Sequence, residues 1–184
     1  MMNDVALLLA RAALGASIAS HGAQKQFGWF DGPGREQAAG FFTGLGFTPG
    51  GTYRDAAVAG EIGGAVLTAL GLGGPIGPLI VASTMLVAGR TVHAKNGFFM
   101  QKNGYELTST YGIAALALAA SGPGRFSLDA AFGWDEALGK PWVLAVGIAG
   151  ALAAGVAVLG RQSPVTQPSA NGKTESPEPA AANS

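Results

Sequence analysis

Between residues 5 and 159 the chain carries five apolar runs, 5–23, 56–72, 76–92, 107–120 and 141–159, each at or near bilayer-crossing length. About 30 Å of hydrocarbon takes about 20 helical residues. A segment in that medium must satisfy its own backbone polar groups, as a helix does. The pattern therefore predicts an all-α, polytopic transmembrane helical bundle. The run 107–120 is short, and needs Tyr105 and Glu106 at the interface, or local thinning, to span. Only 12% of residues are charged, against roughly a quarter in soluble domains, and mean hydropathy is +0.31.

Composition excludes several functions. Net charge is zero and no basic block occurs, which argues against a nucleic-acid partner. Cysteine is absent, so disulfides, thiolate zinc sites, iron–sulfur ligation and a protein persulfide are all ruled out. The first residues, Met1-Met2-Asn3-Asp4, lack a basic n-region and Arg11 interrupts the apolar stretch that follows. That run reads as a retained helix, not a cleaved signal.

The runs divide the chain into a membrane domain, 1–160, and a Pro-, Ser- and Ala-rich tail, 161–184, expected to be disordered and cytoplasmic. Gly71-Leu72-Gly73-Gly74-Pro75 is a breaker sequence that fits a tight helical hairpin. The first loop carries Phe27, Trp29, Phe30, Phe41, Phe42 and Phe47 among Arg35, Glu36 and Gln37, the composition of a segment that lies in the headgroup region or re-enters the bundle. Eight Lys and Arg residues (Lys25, Arg35, Arg54, Arg90, Lys95, Lys102, Arg161, Lys173) fall on one side and only Arg125 and Lys140 on the other. The positive-inside rule then puts the amino terminus outside and the carboxyl terminus in the cytoplasm.

Two charges lie inside apolar runs, Arg11 in the first and Glu61 in the second. Intramembrane ionisable groups are expensive and face protein or a wet cavity. At about 100° per residue, Arg11, Gly15, His21, Gly22 and Lys25 share one arc of the first helix, while Leu9 and Ala16 lie outside it. Glu61, Gly64, Ala65 and Thr68 share a face of the second, and Gly60 with Gly64 forms a small-xxx-small pair that admits close helix approach. Helical rise separates two levels. The inner level gathers His21, Lys25, Arg54, Glu61, Arg90, His93 and Glu106, and the outer one holds Arg11. An ion-pair network that locks the bundle, with His93 and Glu106 as solvated loop ends, is the plain alternative to a binding site. His21, Glu61, His93 and Glu106 have ligand chemistry suited to iron, manganese or zinc, but no pair shows the Glu-x-x-His spacing of di-iron bundles, and no metal is assigned.

In order along the chain, Arg11-Ala12-Ala13-Leu14-Gly15, His21-Gly22-Ala23-Gln24-Lys25, Glu61-Ile62-Gly63-Gly64 and Gly122-Pro123-Gly124-Arg125-Phe126-Ser127-Leu128-Asp129 resemble the DoxX family of small bacterial membrane proteins, related to the DoxD subunit of thiosulfate:quinone oxidoreductase. The likeness covers about the first 130 residues. It implies a helical bundle in the bacterial cytoplasmic membrane, usually of four helices, so that the run from Pro141 becomes a fifth helix added to a DoxX-like core. It carries Arg11, His21, Gly22, Lys25, Glu61, Gly64, Gly124, Ser127 and Asp129 over as family-pattern positions. It also supplies Arg11 with a partner, since Ser127 and Asp129 fall on the same outer side; Ser127 as a plain helix N-cap is the alternative.

The expected function is a quinone-linked redox component acting with a partner oxidoreductase. His21 and Glu61 would be the proton-handling pair, with Lys25, Arg54, His93 and Glu106 around the ligand and Arg11–Asp129 as a structural ion pair. No covalent cofactor is expected, quinone is the candidate ligand, and electrons must come from the partner. One rival is a non-enzymatic scaffold docking a soluble oxidoreductase or sulfurtransferase through the first loop and tail; another is a small-solute or proton transporter.

Overall fold

The computed structural model describes residues 2–164, all helix, turn and loop, with no strand among the described residues. Residues 165–184, most of the expected tail, lie outside that range.

Helix α1 spans Met2–Phe27, with Asp4 in its first turn and Lys25 in its last, both favourably placed against the helix dipole. Helix α2, Gly34–Gly44, occupies what the sequence presents as the first loop. Helix α3 runs over 50–70 in three stretches: α-helical Gly50–Val58, π-helical Ala59–Gly63 and α-helical Gly64–Leu70. It starts six residues before the expected 56, which moves Arg54 from a loop into a helix. Helix α4, Ile76–Asn96, turns π-helical over Gly89–His93. Helix α5 spans Glu106–Ser121, the short helices α6 and α7 span Leu128–Phe132 and Asp135–Leu138, and α8 spans Pro141–Leu159 with its proline at the N-terminal position, where no backbone N–H is needed. Three of these, α1, α4 and α8, are long and apolar enough to cross a membrane. Together with the other apolar helices they make a multi-pass membrane protein.

The hairpin between α3 and α4 follows from its glycines. Gly71 ends α3 in the left-handed region, φ 62°. Leu72 N donates to Leu67 O at 3.0 Å and Gly71 N to Thr68 O at 3.1 Å, a Schellman closure. Gly71 is demanded twice, because a Cβ there would also run into the Arg11 guanidinium.

The core is built from α1, α3, α4 and α5 through Leu14, Ile18, Ala65, Val81, Met85, Ala115 and Leu118. Helix α8 lies against α4 and buries only Gly155. Small residues set the spacing. A Cβ on Gly22 would stand 2.6 Å from Ile62 Cγ1 and one on Gly15 2.8 Å from Ala69 Cβ, so α1 and α3 meet almost backbone to backbone. The expected Gly60/Gly64 pair faces α4, where Cβ atoms would lie 2.6 Å from Thr84 Oγ1 and 2.9 Å from Ile80 Cγ2. Glu61, Gly64, Ala65 and Thr68 are all buried, the face the spacing predicts.

The first loop folds as a helical hairpin because Phe42, Phe47 and Tyr53 form an aromatic cluster between α2 and α3, with Phe47 and Tyr53 rings 4.9 Å apart. Phe27, Trp29, Phe30 and Phe41 stay exposed.

Candidate functional site

Helices α1 and α3 run antiparallel, so Gly15 meets Ala69 and Gly22 meets Ile62, and two polar nodes form at the two ends of this pair. Arg11 and Lys25 are fourteen positions apart on α1, about 21 Å along its axis. The expected separation into two levels is therefore the arrangement found.

At the first node Glu61 is buried in the π-helical stretch of α3, a local widening that recurs at functional sites. Both its carboxylate oxygens accept from Lys25 Nζ, at 2.8 and 2.9 Å. The ammonium also donates to His21 O at 3.3 Å. The expected His21–Glu61 pair is not what forms: the carboxylate belongs to Lys25. The reason is geometric. Helix side chains lean toward the N-terminus of their own helix. Lys25, one turn beyond His21, therefore reaches back to the level of Gly22, where Glu61 sits, while the His21 ring tilts away to meet Tyr111 edge-on at 6.3 Å. No described residue hydrogen-bonds to the His21 ring.

His21, Lys25, Glu61 and Tyr111 form one wall of a cavity of about 750 Å³ enclosed by α1, α3, α4, α5 and α8, with Phe41 and Phe42 of α2 at its edge. The rest of the lining is mainly apolar, broken by the hydroxyls of Ser83, Thr84, Thr91 and Thr108. Each of these donates to a backbone carbonyl: Thr84 to Ile80 O at 2.9 Å, Thr91 to Val87 O at 2.8 Å, Thr108 to Tyr105 O at 3.0 Å and Ser83 to Ala151 O at 2.8 Å. Their lone pairs stay available toward the cavity. Helix α8 contributes a stripe of small residues at helical spacing, Gly147, Gly150, Ala151, Ala154 and Gly155. Sequence reasoning missed Tyr111 and this stripe. The signal for Tyr111 was a phenol inside an apolar run, and for α8 the recurrence of Gly and Ala at three- and four-residue steps.

The other expected ligand residues separate. His93 also lines the cavity, its Nδ1 2.8 Å from Asn103 O. Glu106 accepts from Met100 N at 2.9 Å and so closes the loop 97–105. Arg54 is buried beside Asp55, Nη2 to Oδ1 2.9 Å, while its Nε and Nη1 find no acceptor; it does not line the cavity. Among the described residues no three His, Asp or Glu side chains converge, so His21, Glu61, His93 and Glu106 do not assemble as a ligand set.

At the second node Arg11 is buried and donates through Nη2 to Phe126 O. Asp129, fully buried, spends its carboxylate on the hairpin: Oδ1 accepts from Gly73 N at 2.9 Å and Oδ2 from Gly74 N at 2.6 Å. The expected Arg11–Asp129 ion pair is thus replaced by a shared scaffold, with Arg11 holding the peptide of Phe126 and Asp129 capping the turn against Gly71, whose carbonyl accepts from Asp129 N at 3.1 Å. The hairpin's Gly73 and Gly74 amides have no other acceptor among the described residues and take both carboxylate oxygens directly, which leaves Arg11 only a longer-range attraction to Asp129. Ser127 caps α6, accepting from Ala130 N at 3.2 Å.

Residues 6–94 match the model of the DoxX family, a stretch that contains the Lys25–Glu61 node and the π-helical segments, whereas the likeness of the motif around Asp129 falls beyond it. No curated protein and no solved structure matches the chain. With a match to the DoxX family over residues 6–94 and its apolar helices, the chain is a membrane protein that carries a DoxX domain.

Proposed function

We propose that this protein binds a quinone in the cavity beside the Lys25–Glu61 pair and serves as the membrane subunit of an oxidoreductase whose partner supplies the electrons. All five long helices cross the bacterial cytoplasmic membrane, with the amino terminus outside. The observation that carries this reading is the distribution of polarity in the cavity: His21, Lys25, Glu61 and Tyr111 at one wall, with largely apolar helix faces beyond. Its volume of about 750 Å³ falls within the roughly 300–1,000 Å³ typical of small-ligand sites. A quinone needs donors to its ring carbonyls and space for an isoprenoid tail. The unengaged His21 ring and the Tyr111 hydroxyl supply donors, and helices α4, α5 and α8 supply the apolar channel. Quinone reduction takes up two electrons and two protons. The His21 imidazole, at the cavity wall, is the side chain we assign to hand over a proton. The Lys25–Glu61 pair keeps a compensated charge at the wall instead of a lone carboxylate.

The test is organic extraction and mass spectrometry of the full chain purified in mild detergent. Near-stoichiometric quinone that is lost in His21→Ala, while the protein stays folded, is the expected result. Quinone-free wild-type protein would sink the reading.

A second reading, a scaffold for a soluble oxidoreductase or sulfurtransferase, has one observation of its own. Gln162 Nε2 donates to Leu45 O at 2.8 Å and Ser163 N to Gly46 O at 2.9 Å, so the root of the tail is clasped to the α2–α3 turn. The first loop and residues 162–163 thereby share one surface. Partner binding that survives Glu61→Ala and is lost on cutting the chain after Arg161 would favour it.

A further inference from the structure

A second hollow of about 520 Å³ lies on the outside of the bundle, between α4, α5 and α8. Its floor is almost wholly apolar, with Met85 and Leu86 on α4, Gly112 and Ile113 on α5, and Ile148 and Leu152 on α8. Along α4 it extends from Leu79 to Ala94, about 22 Å at helical rise, the length of an extended acyl chain. One end alone is polar, marked by Arg90 and Tyr105. Arg90 is exposed and makes no hydrogen bond or ion pair with a described residue. The nearby carboxylate, Glu106, is already engaged by Met100 N. The groove thus combines a hydrocarbon-length apolar track with an uncompensated cation at its end, at the level of the interfacial aromatics Phe98 and Tyr105, whose rings stack edge-on at 5.4 Å.

We propose that this groove is a binding site for an anionic phospholipid, with one acyl chain between α5 and α8 and the phosphate met by Arg90. A guanidinium presents paired donors matched to phosphate oxygens, and basic positions between transmembrane helices at the interface select acidic headgroups. Glycine at 112 keeps the track open, since a Cβ there would meet only Met85 Cβ, at 3.7 Å. The groove shares Leu79, Ser83, Met85, Thr108 and Ala151 with the proposed quinone cavity as a common wall, but Arg90 and Tyr105 line the groove alone, and the proposal does not rest on the quinone reading.

The experiment is native mass spectrometry of the full chain in mild detergent with equal concentrations of phosphatidylglycerol and phosphatidylcholine. Wild type should retain phosphatidylglycerol preferentially. Arg90→Gln, at an exposed position where folding is not at stake, should reduce that preference about five-fold, the effect of removing one interfacial cation. Lys102→Gln, equal in charge change but outside the groove, should leave it unaltered. Gly112→Phe should lower retention of both lipids. Equal retention of the two lipids by wild type, the same effect from Arg90→Gln and Lys102→Gln, or a groove covered by a second copy, seen as a lipid-free dimer, would each overturn the proposal.

Discussion

Lys25 of α1 holds both carboxylate oxygens of Glu61, at 2.8 and 2.9 Å, across the closely packed pair α1 and α3. The bond ties the end of α1 to the π-helical stretch of α3 and sets one wall of the cavity. Removing one partner of a buried pair leaves an uncompensated charge, and typically costs about 3–5 kcal/mol, whereas an apolar replacement of both is far milder. Lys25→Met and Glu61→Leu should each lower thermal stability in detergent sharply, and the double variant should recover most of it. Additive losses would mean the pair is not coupled.

Gly22 is where α1 has no room for a side chain, with a Cβ 2.6 Å from Ile62 Cγ1 and 3.2 Å from Glu61 Cβ. Gly22→Val should destabilise by about 1–3 kcal/mol through overpacking. It should also loosen the Lys25–Glu61 bond. Gly63→Ala is the matched control: nothing lies within 4 Å of its Cβ, and replacing a helical glycine by alanine should be neutral or stabilising by up to about 1 kcal/mol. Equal effects on melting temperature would refute the close-approach account.

Asp129 satisfies two hairpin amides and Arg11 binds the Phe126 carbonyl in the same segment. Asp129→Ala strands two buried N–H groups and should cost about 2–4 kcal/mol, with Asp129→Asn milder because one acceptor oxygen remains. Since Arg11 is hydrogen-bonded to the Phe126 carbonyl and meets the carboxylate only through longer-range attraction, the coupling energy of Arg11→Leu with Asp129→Ala should be smaller than that of the Lys25–Glu61 cycle. A larger value would restore the direct ion pair.

Gly150 faces the cavity with open space where its Cβ would be. Gly150→Phe should fill that volume without disturbing the fold, so quinone content should drop at unchanged melting temperature. Retained quinone would place the ligand elsewhere.

Orientation is checked by fusing a reporter active only in the periplasm after Arg161. The distribution of Lys and Arg predicts silence there, and strong activity would invert the topology.

The sequence alone was enough for the helical membrane character, the apolar runs, the Gly71–Pro75 hairpin and the buried face Glu61, Gly64, Ala65 and Thr68, because bilayer thickness, helical period and glycine conformation act locally or at a fixed repeat. It also singled out Arg11 and Glu61 as charges in need of partners, since an unpaired charge in hydrocarbon is costly whatever the fold. Which partner each one takes was decided by tertiary structure. Glu61 goes to Lys25 and not to His21 because side chains lean back along α1, and the register of Gly22 against Ile62 puts the carboxylate within the longer side chain's reach. Asp129 goes to Gly73 and Gly74 because the hairpin presents two bare amides at that spot. The cavity itself, with Tyr111 and the small-residue stripe of α8, exists only where helices distant in sequence leave a gap between them, and no local pattern specifies the shape of a gap.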